Sequence, residues 1–128
     1  MQVLLDTHAL VWWWSNDKRL SDGMRTLLEA DDTITFVSSA SALEIAIKVR
    51  IGQLPEMAHR VREFNEGVRD DGFHHLFVRD DHSVCAGLLP GDHRDPFDRL
   101  IAAQALIEQL TVITRDRELA AFGCKTLW

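Results

Sequence analysis

Short apolar runs alternate along the chain with longer stretches in which apolar residues recur every three or four positions. The runs have the length of strands, and the recurring positions are typical of helices that bury one face. The predicted strands are Gln2 to Leu5, Thr33 to Val37, His74 to Val78, Thr111 to Thr114 and Lys125 to Leu127. Because helices separate these strands, the pattern predicts an α/β fold whose parallel sheet is covered on both faces.

Residues that favour helix ends set the bounds of the predicted helices. Hydroxyl and carboxyl side chains accept hydrogen bonds from free amides at helix starts, proline suits a first turn, and glycine often follows a last turn. The predicted helices are Thr7 to Trp14, Asp22 to Ala30, Ser38 or Ser39 to Ile51, Pro55 to Arg69, Asp81 to Leu88, Pro96 to Gln109 and Asp116 to Phe122. Thr7 and Ser21 are the predicted N-caps of the first two.

The length of 128 residues, with 46% hydrophobic and 27% charged residues, predicts one soluble domain over residues 1–128. No apolar segment is long enough to cross a bilayer, and Asp6 and His8 interrupt the start of the chain, so we expect neither a membrane span nor a signal peptide. A cytoplasmic location is therefore expected. Cys85 and Cys124 form no CxxC pair, which disfavours zinc and a disulfide.

The formal net charge of -6 argues against a protein that holds nucleic acid by overall positive charge. It does not exclude a nuclease. Clustered carboxylates would account for much of the excess, and a bound cation would reverse the sign of the charge there.

Four acidic residues stand where this fold would gather them. Asp6 and Asp116 each follow an apolar strand, and the carboxyl ends of parallel strands lie on one edge of the sheet. Glu44 and Asp98 lie on helices that are apolar around them, where a lone buried carboxylate would be costly. The four together predict a site for a divalent cation.

Each acid also has a simpler explanation. Asp6 and Asp116 could only cap the helices that follow them. Glu44 and Lys48 have the spacing of a helical ion pair, and Asp98 is favoured by the start of its helix. Since Asp95 lies three residues before Asp98, we assign capping to Asp95 and coordination to Asp98.

Carboxylates of this kind suit Mg²⁺ or Mn²⁺, which prefer oxygen ligands. Such an ion can activate water and stabilise the leaving oxygen, so the predicted reaction is hydrolysis of a phosphodiester. Thr7 and Thr114 are close enough in sequence to hold a water or a ligand carboxylate. Arg99 and Arg115 could bind substrate phosphate or could neutralise the adjacent acids.

Four segments carry a resemblance to a known family. They are Leu4-Leu5-Asp6-Thr7-His8, Ser41-Ala42-Leu43-Glu44-Ile45-Ala46-Ile47-Lys48, Asp95-Pro96-Phe97-Asp98-Arg99-Leu100-Ile101-Ala102-Ala103-Gln104-Ala105 and Thr114-Arg115-Asp116. On these segments the chain resembles PIN-domain ribonucleases, specifically the VapC-like toxins of bacterial type II toxin–antitoxin systems. The resemblance runs from Met1 nearly to Trp128.

The resemblance implies a three-layer α/β/α fold with strand order 3-2-1-4-5. It implies an endoribonuclease that depends on Mg²⁺ or Mn²⁺, a toxin homodimer, and inhibition by a small antitoxin in a larger assembly. The acidic quartet of the family carries over to Asp6, Glu44, Asp98 and Asp116, with the Thr114 hydroxyl nearby. Asp95 also belongs to the pattern, either as a cap or as support for the site.

The run Trp12-Trp13-Trp14 is unusual, because successive helix residues point about 100° apart and three indoles cannot all face one core. We expect at least one near the surface, in the dimer interface or an antitoxin groove. The alternative is partial burial under the loop that carries Pro90.

Two other functions fit an α/β frame with acids at strand ends. A haloacid-dehalogenase-type phosphatase would use Asp6 as nucleophile, but that chemistry favours a second acid two residues later, where this chain has His8. A non-catalytic Mg²⁺-binding receiver or interaction module would use the acids only to hold the ion or cap helices. Its usual paired acids after the first strand are missing.

Overall fold

A computed structural model describes residues 1–128 as a five-stranded parallel sheet of order β3-β2-β1-β4-β5. The strands are β1 (Gln2–Leu5), β2 (Ile34–Ser38), β3 (His74–Leu76), β4 (Thr111–Ile113) and β5 (Thr126–Leu127). β1 is central, because it pairs with β2 on one side and with β4 on the other. This confirms the predicted parallel sheet and its strand order.

Eight helices connect the strands. They are α1 (Thr7–Trp14), α2 (Asp22–Glu29), α3 (Ser39–Arg50), α4 (Ala58–Arg62), α5 (Phe64–Asp70), α6 (Asp80–Leu88), α7 (Pro96–Glu108) and α8 (Arg117–Ala121), with a 3₁₀ turn over Pro55–Met57. None of them is long and apolar enough to cross a membrane.

The two faces of the sheet bury separate apolar clusters, because successive side chains of a strand point to opposite faces. Val3 and Leu5 pack into one cluster, which includes residues of α1 and α3. Leu4, between them, packs into the other with Ile101 of α7. Helices therefore cover both faces, as the apolar runs predicted.

Two local predictions are wrong. Thr7 is not the N-cap of α1: Asp6 has the extended backbone of the cap, and Thr7 is the first helical residue. The predicted helix from Pro55 to Arg69 is broken at Glu63, whose backbone (φ -114°, ψ 32°) departs from helical values. The smaller differences elsewhere are shifts of helix and strand ends.

The tryptophan run packs against the chain itself. Trp12 and Trp14 are buried, and Trp13 is half-buried. The indole N–H groups of Trp13 and Trp14 both donate to Asp71 Oδ2, at 3.1 and 2.8 Å. The three rings pack against Trp128, Phe73 and Phe64 respectively, rather than under the loop of Pro90. These internal contacts account for the burial of Trp12 and Trp14, and an interface role for the half-buried Trp13 stays a prediction.

Candidate metal centre

The candidate site lies at the carboxyl ends of β1 and β4. Leu5 pairs with Ile113, and the Asp6 amide donates to the Ile113 carbonyl oxygen at 3.2 Å. The next residues of the two strands are therefore held side by side, which sets Asp6 beside Thr114. The two apolar runs predicted that Asp6 and Asp116 would meet at this edge, and the charge of Asp116 does act on Asp6.

Asp6 serves two roles at once. Its Oδ1 accepts a hydrogen bond from the Ala9 amide at 2.7 Å and so caps α1. The pKa of its carboxyl is raised to about 6, first by burial and also by the charges of Asp116 and Glu44, although hydrogen bonds from Thr114 and the Ala9 amide act to lower it. Capping and membership of an acidic cluster are thus not exclusive alternatives for this residue.

Glu44 is buried on α3, and its two oxygens differ. Oε2 accepts a hydrogen bond from Lys48 Nζ at 2.7 Å, so the predicted ion pair forms. Oε1 is buried with no hydrogen-bond partner. A buried carboxylate oxygen without a donor is costly, and a cation would remove that cost.

Asp98 lies in the first turn of α7 and faces a histidine. Its Oδ2 is 2.9 Å from His93 Nε2. The pKa of Asp98 is raised to about 6, first by burial and also by the charges of Asp95, Asp116 and Glu44. The contact with His93 acts in the opposite direction and lowers this pKa. The same contact raises the pKa of His93. The carboxylate thus has a cationic or donor partner on one side and acids on the other.

Asp116 completes the cluster from the start of α8. Its Oδ1 accepts from the Glu118 amide at 2.9 Å, and its own amide donates to Thr114 Oγ1 at 2.9 Å. One ligand atom each of His93, Asp98 and Asp116 can lie within 4.8 Å of one another. Asp116, like Asp6, is both a cap and a member of the cluster.

The structure brings Asp6, Glu44, Asp98 and Asp116 into one electrostatic group, since the charges of Glu44 and Asp116 raise the pKa values of both Asp6 and Asp98. Asp95 Oδ1 accepts from the Phe97 amide at 2.9 Å and caps α7, as assigned from the sequence. Thr7 Oγ1 lies 3.0 Å from Ser41 Oγ and links α1 to α3.

The two arginines beside the acids differ in their surroundings. The Arg99 guanidinium donates to backbone carbonyls of the segment that precedes α7, so four of its five N–H groups are already used. Arg115 lies over the Trp12 ring, with Cζ 4.6 Å from the centroid, and takes part in none of the ion pairs. Of the two guanidinium groups, only that of Arg115 makes no hydrogen bond or ion pair within the protein.

Sequence reasoning missed His93, because it lies in a loop without periodicity. The only available signal was its position five residues before Asp98, across a proline that begins a helix. That spacing does not say which way an imidazole points. The Arg99 contacts that shape the loop decide it, and they too were invisible in the pattern.

The residues present fit a hard divalent cation. They offer several carboxylate oxygens, one of them buried without a donor, and two carboxyls whose raised pKa values show that negative charge is disfavoured there. A cation would stabilise the charged forms of both. The Cys and zinc alternatives gain no support, because Cys85 and Cys124 are free thiols outside the group.

The sheet order and the acids at its carboxyl edge are those that the PIN-domain resemblance implied. The chain belongs to the PIN domain family, whose model matches residues 3–123. The resemblance drawn from the four sequence segments is thereby confirmed.

Similar proteins agree with this assignment. Ribonuclease VapC22 of Mycobacterium tuberculosis (strain ATCC 25618 / H37Rv) is 31% identical over 121 residues, which cover 91% of this chain and 88% of VapC22. VapBC2 from Rickettsia felis, solved bound to a DNA fragment from its promoter, has a chain of the same fold, with a TM-score of 0.72, 16% identity and coverage of 99% and 98%. A toxin–antitoxin complex from Klebsiella pneumoniae gives a TM-score of 0.69, 18% identity and coverage of 98% and 96%.

Proposed function

We propose that residues 1–128 form a single PIN domain that acts as the toxin of a type II toxin–antitoxin pair. The activity is that of an endoribonuclease, which hydrolyses RNA phosphodiesters with Mg²⁺ or Mn²⁺ and is inhibited by a cognate antitoxin in the cytoplasm. The observation that carries the proposal is the convergence of Asp6, Glu44, Asp98 and Asp116, with one buried Glu44 oxygen lacking a partner. The relative named Ribonuclease VapC22 supports the same activity.

The four acids would hold the cation, and Thr114 supports Asp6 through its hydroxyl. When bound, such an ion supplies Lewis acidity to the phosphodiester and to the attacking water. Contacts within the chain orient the carboxylates. Backbone amides in the first turns of α1 and α8 donate to Asp6 and Asp116, and the Lys48 ammonium donates to Glu44. The Thr7 hydroxyl holds α1 against α3 and so keeps Asp6 close to Glu44.

A cleft of about 550 Å³ adjoins the acids and offers room for the substrate. Its walls include Asp6, Asp116, His8, Lys48 and Arg115. We assign binding of a substrate phosphate to Arg115, whose exposed guanidinium lies beside Asp116 in sequence and on the cleft wall. Arg99 is left to hold the segment before α7, because its N–H groups bind carbonyl oxygens there.

A protein partner is also part of the proposal. Val84 and Leu88 lie one turn apart on α6 and are 61% and 78% exposed. Phe77, just before this helix, is 67% exposed. Large exposed apolar side chains in one part of the chain favour contact with another protein, either the antitoxin or a second toxin subunit. Toxin–antitoxin complexes among the solved structures of this fold support the same partner class.

The test is cleavage of a set of structured RNAs by purified protein that is free of antitoxin. We expect cleavage with Mg²⁺ or Mn²⁺, none with EDTA, and none from Asp98→Asn. Exposed Asp22, in the first turn of α2, supplies the matched control Asp22→Asn, which makes the same chemical change at a residue outside the acidic group. It should cleave like the wild type.

Folding of each variant is checked by circular dichroism and thermal unfolding. Wild-type protein that binds the metal but leaves every RNA intact would refute the nuclease proposal and favour a non-catalytic metal-binding module. Equal cleavage by Asp98→Asn would place the chemistry elsewhere on the chain.

A further inference from the structure

We propose that His93 is a ligand of the divalent cation through Nε2, which makes this centre a mixed oxygen and nitrogen site that favours Mn²⁺ over Mg²⁺. The inference rests on the metal site of the proposed function and adds to it a residue outside the acidic quartet. It concerns metal selectivity, which the carboxylates alone do not determine.

The first observation is the position of the imidazole. Nε2 of His93 lies 2.9 Å from Asp98 Oδ2. One ligand atom each of His93, Asp98 and Asp116 fits within 4.8 Å. Two ligand atoms on opposite sides of an ion bound at about 2.1 Å are about 4.2 Å apart. One ion can therefore reach all three atoms with only small side-chain movements.

The second observation is that the loop carrying His93 is built to hold it. Arg99 Nε donates to the His93 carbonyl oxygen at 2.7 Å, and the remaining guanidinium nitrogens donate to Ala86, Leu89 and Gly91 at 2.8 to 3.1 Å. Arg99 Cζ also lies 5.3 Å from the centroid of the Phe122 ring. The centroid of the His93 ring lies 5.9 Å from the same Phe122 centroid.

These contacts restrict the backbone on which the imidazole stands. Gly91 has a φ of +110°, a value that other residues rarely adopt, and it lets the loop turn back toward Arg99. A ligand held in place before the ion arrives loses little freedom on binding, which is the usual requirement of a selective metal site.

The third observation calls for a cation without reference to the histidine. Glu44 Oε1 is buried and has no hydrogen-bond partner. The charge of Glu44 acts on Asp98, the carboxylate that His93 contacts. A cation bound beside Asp98 would offset that charge as well.

An imidazole nitrogen changes the order of metal affinities. Sites made only of carboxylate oxygens and water suit Mg²⁺, which dehydrates reluctantly. Nitrogen ligands favour transition metals, whose affinities rise from Mn²⁺ through Fe²⁺ and Co²⁺. The neutral ring presents one lone pair, so Nε2 can bind the ion only when its proton is on Nδ1.

The experiment is pulsed EPR of Mn²⁺ bound to the full chain without RNA. We expect electron spin-echo modulation from a directly bound ¹⁴N in the wild type and its replacement by the ¹⁵N pattern after histidine labelling. His93→Gln should lose the signal. His59→Gln is the matched control, because His59 is 82% exposed and pairs only with Glu63; it should keep the signal.

Calorimetry of the same proteins measures selectivity. We expect Mn²⁺ affinity to fall about tenfold in His93→Gln, with a change of less than about threefold for Mg²⁺. Bound Mn²⁺ without directly bonded nitrogen in the wild type would overturn the inference and leave an imidazole that only donates to Asp98. Equal losses for both ions, or no metal binding, would also overturn it.

The two proposals fail in different ways. If Mn²⁺ binds without nitrogen and RNA is still cleaved, the ligand role of His93 is wrong and the nuclease stands. If the nitrogen signal appears but no RNA is cleaved, the nuclease is wrong and the ligand stands. Should His93→Gln fold poorly, the wild-type spectra with and without ¹⁵N-histidine still decide whether a histidine is bound. Loss of the signal in His8→Gln, which changes the histidine on the cleft wall, would then overturn the assignment to His93, and retention would support it.

Discussion

Replacing Asp6 by Asn should stabilise the protein when no metal is present. Asp6 is 5% exposed and lies near two other acids, so its negative charge opposes folding. Asn keeps the side-chain oxygen that accepts from the Ala9 amide and is as good an N-cap as Asp. The substitution therefore removes the charge and leaves the start of α1 intact.

The size of the effect follows from the pKa. A rise from 3.8 to about 6 corresponds to about 3 kcal/mol at about 1.4 kcal/mol per pH unit. This figure already includes the hydrogen bonds from Thr114 and the Ala9 amide, which favour the charged carboxylate and keep the pKa from rising further. We expect Asp6→Asn to raise the free energy of unfolding by about 1–3 kcal/mol at pH 7.5.

The pH dependence has a definite sign. Because the pKa of Asp6 is raised in the folded state, that state binds the proton more tightly than the unfolded chain. The resulting stabilisation is complete below about 3.8 and is lost as pH rises through about 6. The difference between Asp6→Asn and the wild type should thus be small near pH 4 and complete by pH 7.5.

Urea unfolding in EDTA, followed by tryptophan fluorescence, measures this difference at both pH values, with Asp22→Asn as the control that should change little. Excess Mn²⁺ should then remove most or all of the advantage of Asp6→Asn, since a ligand at a hundred times its Kd stabilises the wild type by about 2.7 kcal/mol. A variant that is no more stable than the wild type at pH 7.5 without metal would refute the reasoning.

Three further changes test separate contacts. Lys48→Met removes the only donor to Glu44 and should cost the metal-free protein about 1–3 kcal/mol in urea unfolding; an unchanged value would show that water replaces the ammonium. Asp71→Ala leaves two indole N–H groups without their acceptor and should cost about 1–2 kcal/mol, whereas Asp71→Asn should cost less. Burial raises the pKa of Cys124 to about 11, so alkylation at pH 8, followed by mass spectrometry, should be slower than at half-exposed Cys85; equal rates would contradict this.

The fold was predictable where a pattern repeats over several residues. Val3, Leu4 and Leu5 identify a strand buried on both faces, and the strand order came with the family resemblance. The break at Glu63 was not predictable, because the stretch from Pro55 to Arg69 contains no proline or glycine at the break itself. Tertiary packing there overrides the local preference for helix.

The acids at strand ends were predictable for the same reason, since the sheet determines where a strand's carboxyl end lies. For Asp6 and Asp116 the sequence offered a choice between cap and cluster, whereas the structure shows both roles together. The contacts of His93 and Arg99 were beyond prediction, because they depend on loop carbonyl directions that no residue pattern specifies.

Asp6 and Asp116 each cap a helix and also belong to the acidic cluster, which limits the replacements that these positions tolerate. Glutamate would preserve the formal charge, but its extra methylene moves the carboxylate away from an amide that Asp reaches at 2.7 or 2.9 Å. Glu44 lies in the middle of a helix and accepts no hydrogen bond from a backbone amide. Exchanges between aspartate and glutamate should therefore differ in their cost to stability, although none of them changes the charge. We expect Asp6→Glu and Asp116→Glu to destabilise the protein more than Glu44→Asp.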